Sequence, residues 1–174
     1  PTAVNSSWSN GWNPFYSCGG PDGFTITFGQ TVTSIPDYLL TGSGVAQVVF
    51  EGTAITSIGQ SAFANCSNLT GLDLTGQTSL VSIGNKAFEN MAEGSVIRVT
   101  DDQSTSMSGK YTTGNTSLEI VGSSSSADAA VMLIHNNEVS YFKRLASAAY
   151  SAKPGDTISL MSAITLNENE TVEV

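Results

Sequence analysis

Residues 58–69 read IGQSAFANCSNL, and residues 83–90 echo the first eight of these positions as IGNKAFEN. A more divergent copy precedes them, so that one isoleucine recurs at intervals of 23 and 25 residues, as Ile35, Ile58 and Ile83. The same intervals separate a second set of large apolar residues, Leu40, Phe63 and Phe88. An internal period of this length is typical of solenoids, whose repeats bury their apolar faces only by stacking on one another.

Each repeat predicts the same path of the chain. In the second repeat an extended segment places Ile55 and Ile58 inward, and Gly59 then allows a sharp turn. One turn of helix carries Ala62 and Phe63 over the end of the core. Apolar and outward residues alternate downstream, which predicts stacked strands at residues 48–50, 72–74 and 97–99. The expected fold is a mostly β solenoid of about three leucine-rich repeats with short helical turns.

The string at residues 58–69 resembles the signature of the BspA-like leucine-rich repeats, the treponemal class, and residues 83–90 resemble its first half. The resemblance covers roughly residues 24–121. It implies a curved solenoid and, for characterised members, a bacterial surface protein that adheres to host matrix proteins or to other cells. Three repeats are few for this class.

The segment before the repeats, residues 1–23, shows neither helical nor strand periodicity. It holds four aromatic residues, Trp8, Trp12, Phe15 and Tyr16. We interpret it as an N-terminal cap over the open edge of the first repeat, which solenoids require; an aromatic platform for sugar stacking is the alternative. The leucine-rich repeat domain, residues 24–121, is predicted to open with a strand at 24–28 and to close with one at 118–121. The polar segment 101–116 is expected to be a loop.

The C-terminal part of the chain differs in character. Residues 122–128 are a Ser-rich linker by composition, expected to be flexible. Residues 129–174 predict a hairpin at 131–141 that turns at Asn136-Asn137, a helix at 142–152, and strands at 156–161 and 164–166. We therefore expect a small C-terminal αβ segment after the repeats.

Residues 148–166 resemble the opening of right-handed parallel β-helix domains of the pectin-lyase-like class in surface proteins. In those domains an N-terminal helix caps the first coil. The resemblance implies that residues 129–174 are the truncated start of a longer β-helix domain, because one coil cannot close such a core. A small self-sufficient αβ domain is the alternative.

Composition and charge disfavour several classes of partner. With 15 acidic and 6 basic residues the formal charge is −9, and no basic cluster exists to attract nucleic acid. No apolar run reaches the roughly 18–20 residues of a membrane span, and no signal peptide is recognisable. Only 12% of the residues are charged, and Ser, Thr, Asn and Gly supply the polar surface, as is common in secreted bacterial proteins. We predict an extracellular or cell-surface location.

The sequence offers no catalytic set. The single histidine, His135, lies at the predicted hairpin turn, so that a histidine-based metal site or a Ser/His/Asp triad would depend on it alone. Cys18 and Cys66 lack metal-ligand spacing, and Cys66 fits a small buried residue of the repeat better than a disulfide partner. Asp101-Asp102 could contact Ca²⁺, although a solvated acidic pair is the default. We predict no enzyme activity, no cofactor and no metal site.

Binding has a candidate surface on the outward side of the repeat strands. Side chains between the inward ones face away from the core, and stacked strands align them into a patch where repeat proteins usually bind. The predicted binding residues are Gln47, Val49, Glu51, Asp73, Thr75, Val96, Arg98 and Thr100. For any single residue, a plain solvated strand face is the alternative.

Three functions are compatible with these features. We favour a non-catalytic, adhesin-like binding module that contacts a host or bacterial surface protein or glycan. A passive structural stalk is the second function, and it predicts no measurable ligand. The third is the non-catalytic front part of a larger polysaccharide-degrading surface enzyme, which the sequence after residue 174 would decide.

Overall fold

A computed structural model describes residues 13–107, 116–123, 126–127 and 129–162. These residues form β1 Phe24–Phe28, β2 Ser34–Ile35, β3 Val45–Phe50, β4 Ser57–Ile58, β5 Gly71–Asp73, β6 Ser82–Ile83, β7 Ser95–Thr100, α1 Asp101–Met107, β8 Thr116–Val121, β9 Val131–His135, β10 Glu138–Phe142, α2 Leu145–Ser151 and β11 Thr157–Leu160. The chain divides into two compact units. The N-terminal unit comprises Pro1–Arg98 and Thr105–Leu118, and the C-terminal unit comprises Val99–Ser104 and Glu119–Val174.

The three repeats pair through the short parallel strands β2, β4 and β6. The register aligns one serine of each repeat, as Ser34, Ser57 and Ser82. It also aligns the isoleucines that follow them, Ile35, Ile58 and Ile83, each almost fully buried. Alternation along a strand directs the isoleucine to the core when the serine faces outward. The structure therefore pairs the repeats at the intervals of 23 and 25 residues, which confirms the predicted repeat register.

The turn after each short strand is hydrogen-bonded to the next repeat. Phe63 N–H donates to the carbonyl oxygen of Ala87 at 2.8 Å, and Ser61 and Asn65 donate to the third repeat in the same way. Ser61 and Asn65 adopt positive φ angles of 50° and 57°. Residues at the two equivalent positions of the first and third repeats do the same. Bonding between repeats therefore continues through the turns, beyond the two-residue strands.

Longer strands form the other sheets of the repeats. β1 pairs in parallel with β3, and β5, β7 and β8 lie in that order in a third sheet, in which β5 and β7 are parallel. Within the register of β5 and β7, Leu72 and Ile97 are buried partners, while Asp73 and Arg98 are exposed partners. The predicted strands at 24–28, 48–50, 97–99 and 118–121 lie within β1, β3, β7 and β8, and the one at 72–74 overlaps β5, which ends one residue earlier. The mostly β solenoid with few helices is confirmed.

Aromatic and aliphatic side chains stack from repeat to repeat in the core. The rings of Phe63 and Phe88 are stacked with centroids 5.8 Å apart, and both side chains are fully buried. Leu40 is buried at the equivalent position of the first repeat. Cys66 is buried beside them, and it is not bonded to Cys18, which is exposed. Burial raises the pKa of the Cys66 thiol to about 11.

The first repeat is bordered by residues that precede β1. Asn13 Nδ2 donates to the carbonyl oxygen of Thr41 at 2.9 Å, and Ser17 N–H donates to that of Gly42 at 3.0 Å. Phe15 stacks on Phe24. These contacts satisfy carbonyl groups on the edge of the first repeat, where no earlier repeat can. Trp8 and Trp12 of the predicted cap lie outside the described residues.

A buried glutamine links the second and third repeats. Gln77 Nε2 donates to the carbonyl oxygen of Gly52 at 2.8 Å, and Gln77 Oε1 accepts from Ile55 N–H at 3.3 Å. The side chain thereby satisfies a donor and an acceptor of the chain segment between β3 and β4. Nothing in the repeat pattern predicts this role.

We expect Gln77→Ala to lower the free energy of unfolding by about 2 kcal/mol, because it leaves buried backbone groups without their partner. Urea denaturation would measure the change. Gln30→Ala removes an exposed glutamine of the same unit, and as the matched control it should change stability by less than about 0.5 kcal/mol. Equal effects of the two substitutions would show that Gln77 does not link the repeats.

The C-terminal unit is built on an antiparallel sheet with the order β10-β9-β11. Asn136 and Asn137 form the turn of the β9–β10 hairpin with φ angles of 49° and 67°, as a two-residue turn of this type requires. The predicted hairpin and the strand at 156–161 are confirmed, while the strand at 164–166 lies outside the described residues. α2 begins later than predicted, because Phe142 completes β10, where it is buried.

The segment 101–116, predicted to be a loop, begins as helix α1. Gln103 N–H donates to Thr100 Oγ1 at 3.3 Å, and Thr100 N–H donates to Gln103 Oε1 at 2.8 Å. This reciprocal pair is a capping box, and the two aspartates that follow Thr100 favour the first turn through the helix dipole. The loop prediction was wrong for residues 101–107. The sequence Thr-Asp-Asp-Gln at residues 100–103 is the feature that predicts a helix start here.

The Ser-rich segment, predicted to be a flexible linker, begins with two packed residues. Ser123 exchanges two backbone hydrogen bonds with Tyr141, each 2.9 Å long. A Cβ atom on Gly122 would come within 3.0 Å of Ser140 and Phe142. The linker prediction was therefore wrong for Gly122 and Ser123, because composition does not reveal that this backbone adds to an edge of β10.

Candidate binding face

Seven of the eight predicted binding residues lie on the outward side of β3, β5 and β7 or just after the ends of β3 and β5. Five of them are exposed, namely Gln47, Val49, Glu51, Asp73 and Arg98. The other two, Thr75 and Val96, are half-buried. Thr100 differs, because it belongs to the C-terminal unit and its hydroxyl caps α1. We therefore leave Thr100 out of the face.

Strand β1 adds two threonines that the sequence analysis did not include. Thr25 lies opposite Gln47 and Thr27 opposite Val49 in the parallel register of β1 and β3, and both threonines are exposed. Thr25 Oγ1 donates to Gln47 Oε1 at 3.2 Å. The alternation of apolar residues and threonines in β1, FTITF, is the sequence feature that predicts both threonines to face outward. We call the combined set the strand face, namely Thr25, Thr27, Gln47, Val49, Glu51, Asp73, Thr75, Val96 and Arg98.

An ion pair spans β5 and β7 on the strand face. Asp73 and Arg98 are partners in the strand register, and Arg98 donates to Asp73 Oδ2 at 3.0 Å. Thr75 donates to Asp73 Oδ1 from its hydroxyl at 2.6 Å and from its backbone N–H at 2.9 Å. Partial burial raises the pKa of Asp73, but the hydrogen bonds from Thr75, and then the charge and hydrogen bond of Arg98, outweigh it and hold that pKa below its usual value.

The Asp73–Arg98 pair is accessible to a partner. The two side chains are 50% and 44% exposed, and an ion pair at this exposure contributes about 1 kcal/mol or less to folding. The pair presents one acceptor group and one donor group in fixed positions, next to the hydroxyl of Thr75. Such an arrangement suits reversible polar recognition.

The comparison with protein families agrees with this architecture. The model of the BspA type leucine-rich repeat region, described as six copies, matches residues 11–127. The chain belongs to the BspA-type leucine-rich repeat family. No curated protein and no solved structure matches the chain. The BspA-type repeat is a repeat module that is generally non-catalytic, and the strand face lies wholly inside the matched residues.

The other chemically suggestive residues of this BspA-type chain have structural partners. Asp101, considered above for Ca²⁺, accepts from Arg144 Nη2 at 2.9 Å and from Lys143 N–H at 2.6 Å. Asp102 accepts from Lys143 Nζ at 2.8 Å. Among the described residues there is no group of three or more His, Cys, Asp or Glu side chains that could hold a metal ion. In the same part of the chain, no helix is long and apolar enough to cross a membrane.

His135 ends β9 rather than lying within the turn, and it is held by two neighbours. Its Nδ1 lies 2.6 Å from Asp156 Oδ1, and its Nε2 lies 3.0 Å from Asn136 Nδ2. Asp156 Oδ2 accepts from Lys153 N–H at 2.8 Å. The hydrogen bond from Lys153 N–H, and then that from His135, lower the pKa of Asp156. These bonds tie the residues before β11 to the end of β9, which is a structural role.

Acid should weaken the C-terminal unit through Asp156. Because its folded-state pKa is lowered, the stability it contributes is present above the unfolded pKa of about 3.9 and is lost as pH falls through the folded pKa. Hydrogen exchange of β9 and β11 between pH 5 and pH 2 should show this loss, and Asp156→Asn should flatten it. Glu138→Gln, at an exposed carboxyl of β10, is the matched control and should keep the wild-type pH profile. An unchanged profile in Asp156→Asn would contradict the role of Asp156.

Proposed function

We propose that the N-terminal unit is a non-catalytic, adhesin-like binding module of a bacterial cell-surface or secreted protein. It recognises a host or bacterial surface protein or glycan through the strand face. The proposal is carried by one observation, the register that brings Asp73 and Arg98 together as an exposed pair beside the Thr75 hydroxyl. Family membership supports it, because BspA-type repeats are surface-associated modules that often bind proteins.

The geometry of the strand face supports recognition by shape and hydrogen bonding. Two pairs of parallel strands, β1 with β3 and β5 with β7, present its side chains in rows, with the strands of each pair about 4.8 Å apart. Thr25, Thr27 and Gln47 supply neutral donors and acceptors, and Val49 supplies an exposed apolar contact. A partner can bind this surface by hydrogen bonds to the Asp73–Arg98 pair and by an apolar contact with Val49. Such mixed surfaces are typical of non-obligate interfaces.

The test is binding of the fluorescently labelled 174-residue chain to arrays of matrix proteins and glycans. The informative variant is the double substitution Asp73→Ala/Arg98→Ala, which keeps the net charge. The matched control is Lys86→Ala/Glu89→Ala, which removes another acid–base pair of the same unit, 3.3 Å apart and outside the strand face. We expect at least one ligand, a tenfold or greater loss of affinity in the first variant, and wild-type binding in the second.

The alternative functions give different results. A passive stalk gives no array ligand for the wild-type chain. If both variants bound a ligand as tightly as each other, the binding site would lie outside the strand face. The front part of a polysaccharide-degrading surface enzyme would require catalytic acids in sequence that follows residue 174.

We also propose that residues 129–174 open a β-helix domain. Ile158, Leu160 and Met161 support this proposal, because they are exposed on or next to β11, where a following coil would cover them. A longer chain of the same protein should then show these three side chains protected from solvent. Continued exposure of all three would favour a self-sufficient αβ domain.

A further inference from the structure

Strand β1 pairs with β3 on one side, and its other side is an open edge among the described residues. Phe24 N–H donates to the carbonyl oxygen of Gly44 at 3.1 Å. The carbonyl oxygen of Phe28 accepts from Glu51 N–H at 3.0 Å. Both bonds lie on the side of β3, and successive residues of a strand direct their backbone groups to opposite sides. The two threonines of β1 therefore direct theirs away from β3.

Thr25 and Thr27 thus form an edge that can accept another strand. Within the part of the chain that the structure describes, no hydrogen bond reaches their backbone N–H or C=O groups. These four groups can bond to one extended segment, as in strand addition to the edge of a sheet. The side chains of both threonines are exposed and belong to the strand face. An added strand would therefore extend that face.

The β1 edge lacks the features that usually block strand addition. Charged side chains and prolines commonly protect an open edge, and residues 23–35 contain neither. Ile26, the inward residue between the two threonines, is half-buried. The inward residues Leu72 and Ile97 of β5 and β7 are 4% and 0% exposed. A strand that carries an apolar residue opposite Ile26 would complete its burial.

Acidic side chains flank both ends of the β1 edge. Asp22 is exposed and lies two residues before β1. A Cβ atom on Gly29, the residue after β1, would lie 3.7 Å from Glu51 Oε2, which places the Glu51 carboxylate at the other end. In the described part of the chain, neither carboxylate takes part in an ion pair. Charge complementarity therefore favours a segment with a basic residue near each end.

A second copy of this chain does not match these charges. Two β1 strands can bond through all four groups of each copy only if Thr25 of one lies opposite Thr27 of the other, in antiparallel orientation. In that register the end of β1 beside Glu51 in one copy meets the start of β1 beside Asp22 in the other. Like charges across an interface oppose association.

We propose that the β1 edge binds an extended segment of a partner protein as an added strand. The outward backbone groups of Thr25 and Thr27 bond to the segment, an apolar side chain of the segment covers Ile26, and Asp22 and Glu51 select basic residues near its ends. The inference deepens the proposed function and rests on it, because it identifies the partner of the N-terminal unit as a protein.

The test is amide hydrogen exchange of the ¹⁵N-labelled 174-residue chain with heptapeptides blocked at both ends, followed by NMR. The probe Lys-Thr-Val-Thr-Val-Thr-Lys is compared with Glu-Thr-Val-Thr-Val-Thr-Glu and with Lys-Thr-Pro-Pro-Pro-Thr-Lys, whose centre has no N–H donor. We expect the first peptide to bind with a Kd of about 1 mM, as a few exposed hydrogen bonds allow. At saturation it should slow exchange of the Thr25 and Thr27 amides about fivefold or more, and the other two peptides should bind at least threefold more weakly.

Variants separate the edge from the flanking charges. Thr27→Pro removes an outward N–H and keeps the bonds to β3, because proline is tolerated where an edge strand faces solvent; it should lower affinity at least tenfold. Asp22→Lys leaves β1 unchanged and should lower the preference for the lysine peptide over the glutamate peptide at least threefold. Glu93→Lys makes the matched change at an exposed acid of the third repeat and should keep the wild-type preference.

Several results would overturn the proposal. They are unchanged exchange of the Thr25 and Thr27 amides with the lysine peptide, equal affinity for the three peptides, and a wild-type preference in Asp22→Lys. Slow exchange of both amides in the free chain would show that a segment of this chain occupies the edge, and protection that rises with protein concentration would show a second copy; either contradicts a partner protein. An array ligand without any peptide effect overturns this inference alone, whereas the absence of every array ligand overturns the proposed function and this inference with it.

Discussion

Asp101→Asn is expected to destabilise the C-terminal unit by about 2 kcal/mol, because it weakens charge-assisted hydrogen bonds to a carboxylate that is largely buried, while Arg144 is half-buried. The Asp101 side chain is only 10% exposed, and its two oxygens are fully engaged by the Arg144 guanidinium and Lys143 N–H. An asparagine in the same place offers no charge and only one acceptor oxygen. Hydrogen exchange across β9 and β10 would report the change in opening free energy.

The adjacent aspartate provides a matched control. Asp102 is 73% exposed and pairs with Lys143 Nζ at the surface. Asp102→Asn should therefore change stability by less than about 1 kcal/mol, the usual contribution of an exposed ion pair. If the two substitutions had the same effect, the Asp101–Arg144 contact would not be what holds Val99–Ser104 to the rest of its unit.

Gly84→Ala should destabilise the N-terminal unit by about 3 kcal/mol, because successive turns leave no room for a side chain there. A Cβ atom at this position would lie closer than 3.0 Å to the backbone nitrogen and Cα of Gln60 in the preceding repeat. Both are backbone atoms held by bonding between repeats, so they cannot rotate away. Thermal and urea unfolding would measure the loss.

A second glycine of the same unit separates this packing effect from a general effect of glycine. A Cβ atom on Gly76 would meet nothing within 4 Å, and its φ angle is not in the left-handed region. Gly76→Ala should therefore leave stability unchanged or raise it by up to about 1 kcal/mol, since alanine restricts the unfolded chain. If Gly84→Ala left the stability unchanged, the turns would not stack as closely as the structure indicates.

Much of the repeat architecture could be predicted because it depends on local periodicity. The spacing of Ile35, Ile58 and Ile83 fixes which residues pair, and alternation along each strand fixes which side chains face outward. Seven of the eight predicted binding residues follow from this parity alone. The threonines of β1 obey the same rule, although the predicted set did not include them.

The remaining features depend on contacts between distant residues. Asp101 meets Arg144 43 positions later, and Gln77 reaches back to Gly52, and one sequence contains no signal that would pair them. The capping box of α1 is different, because its four residues are consecutive and their types are sufficient to predict it from the sequence.

The most direct test of the central claim is an NMR map of where an array-selected ligand contacts the chain. The ligand is the protein or glycan that the wild-type chain binds most tightly on the arrays. We predict that amide signals of Gln47, Glu51, Asp73 and Arg98 shift on titration, and that those of Val131–Phe142 do not. Shifts confined to residues outside the strand face would contradict recognition by the outward side of the repeats.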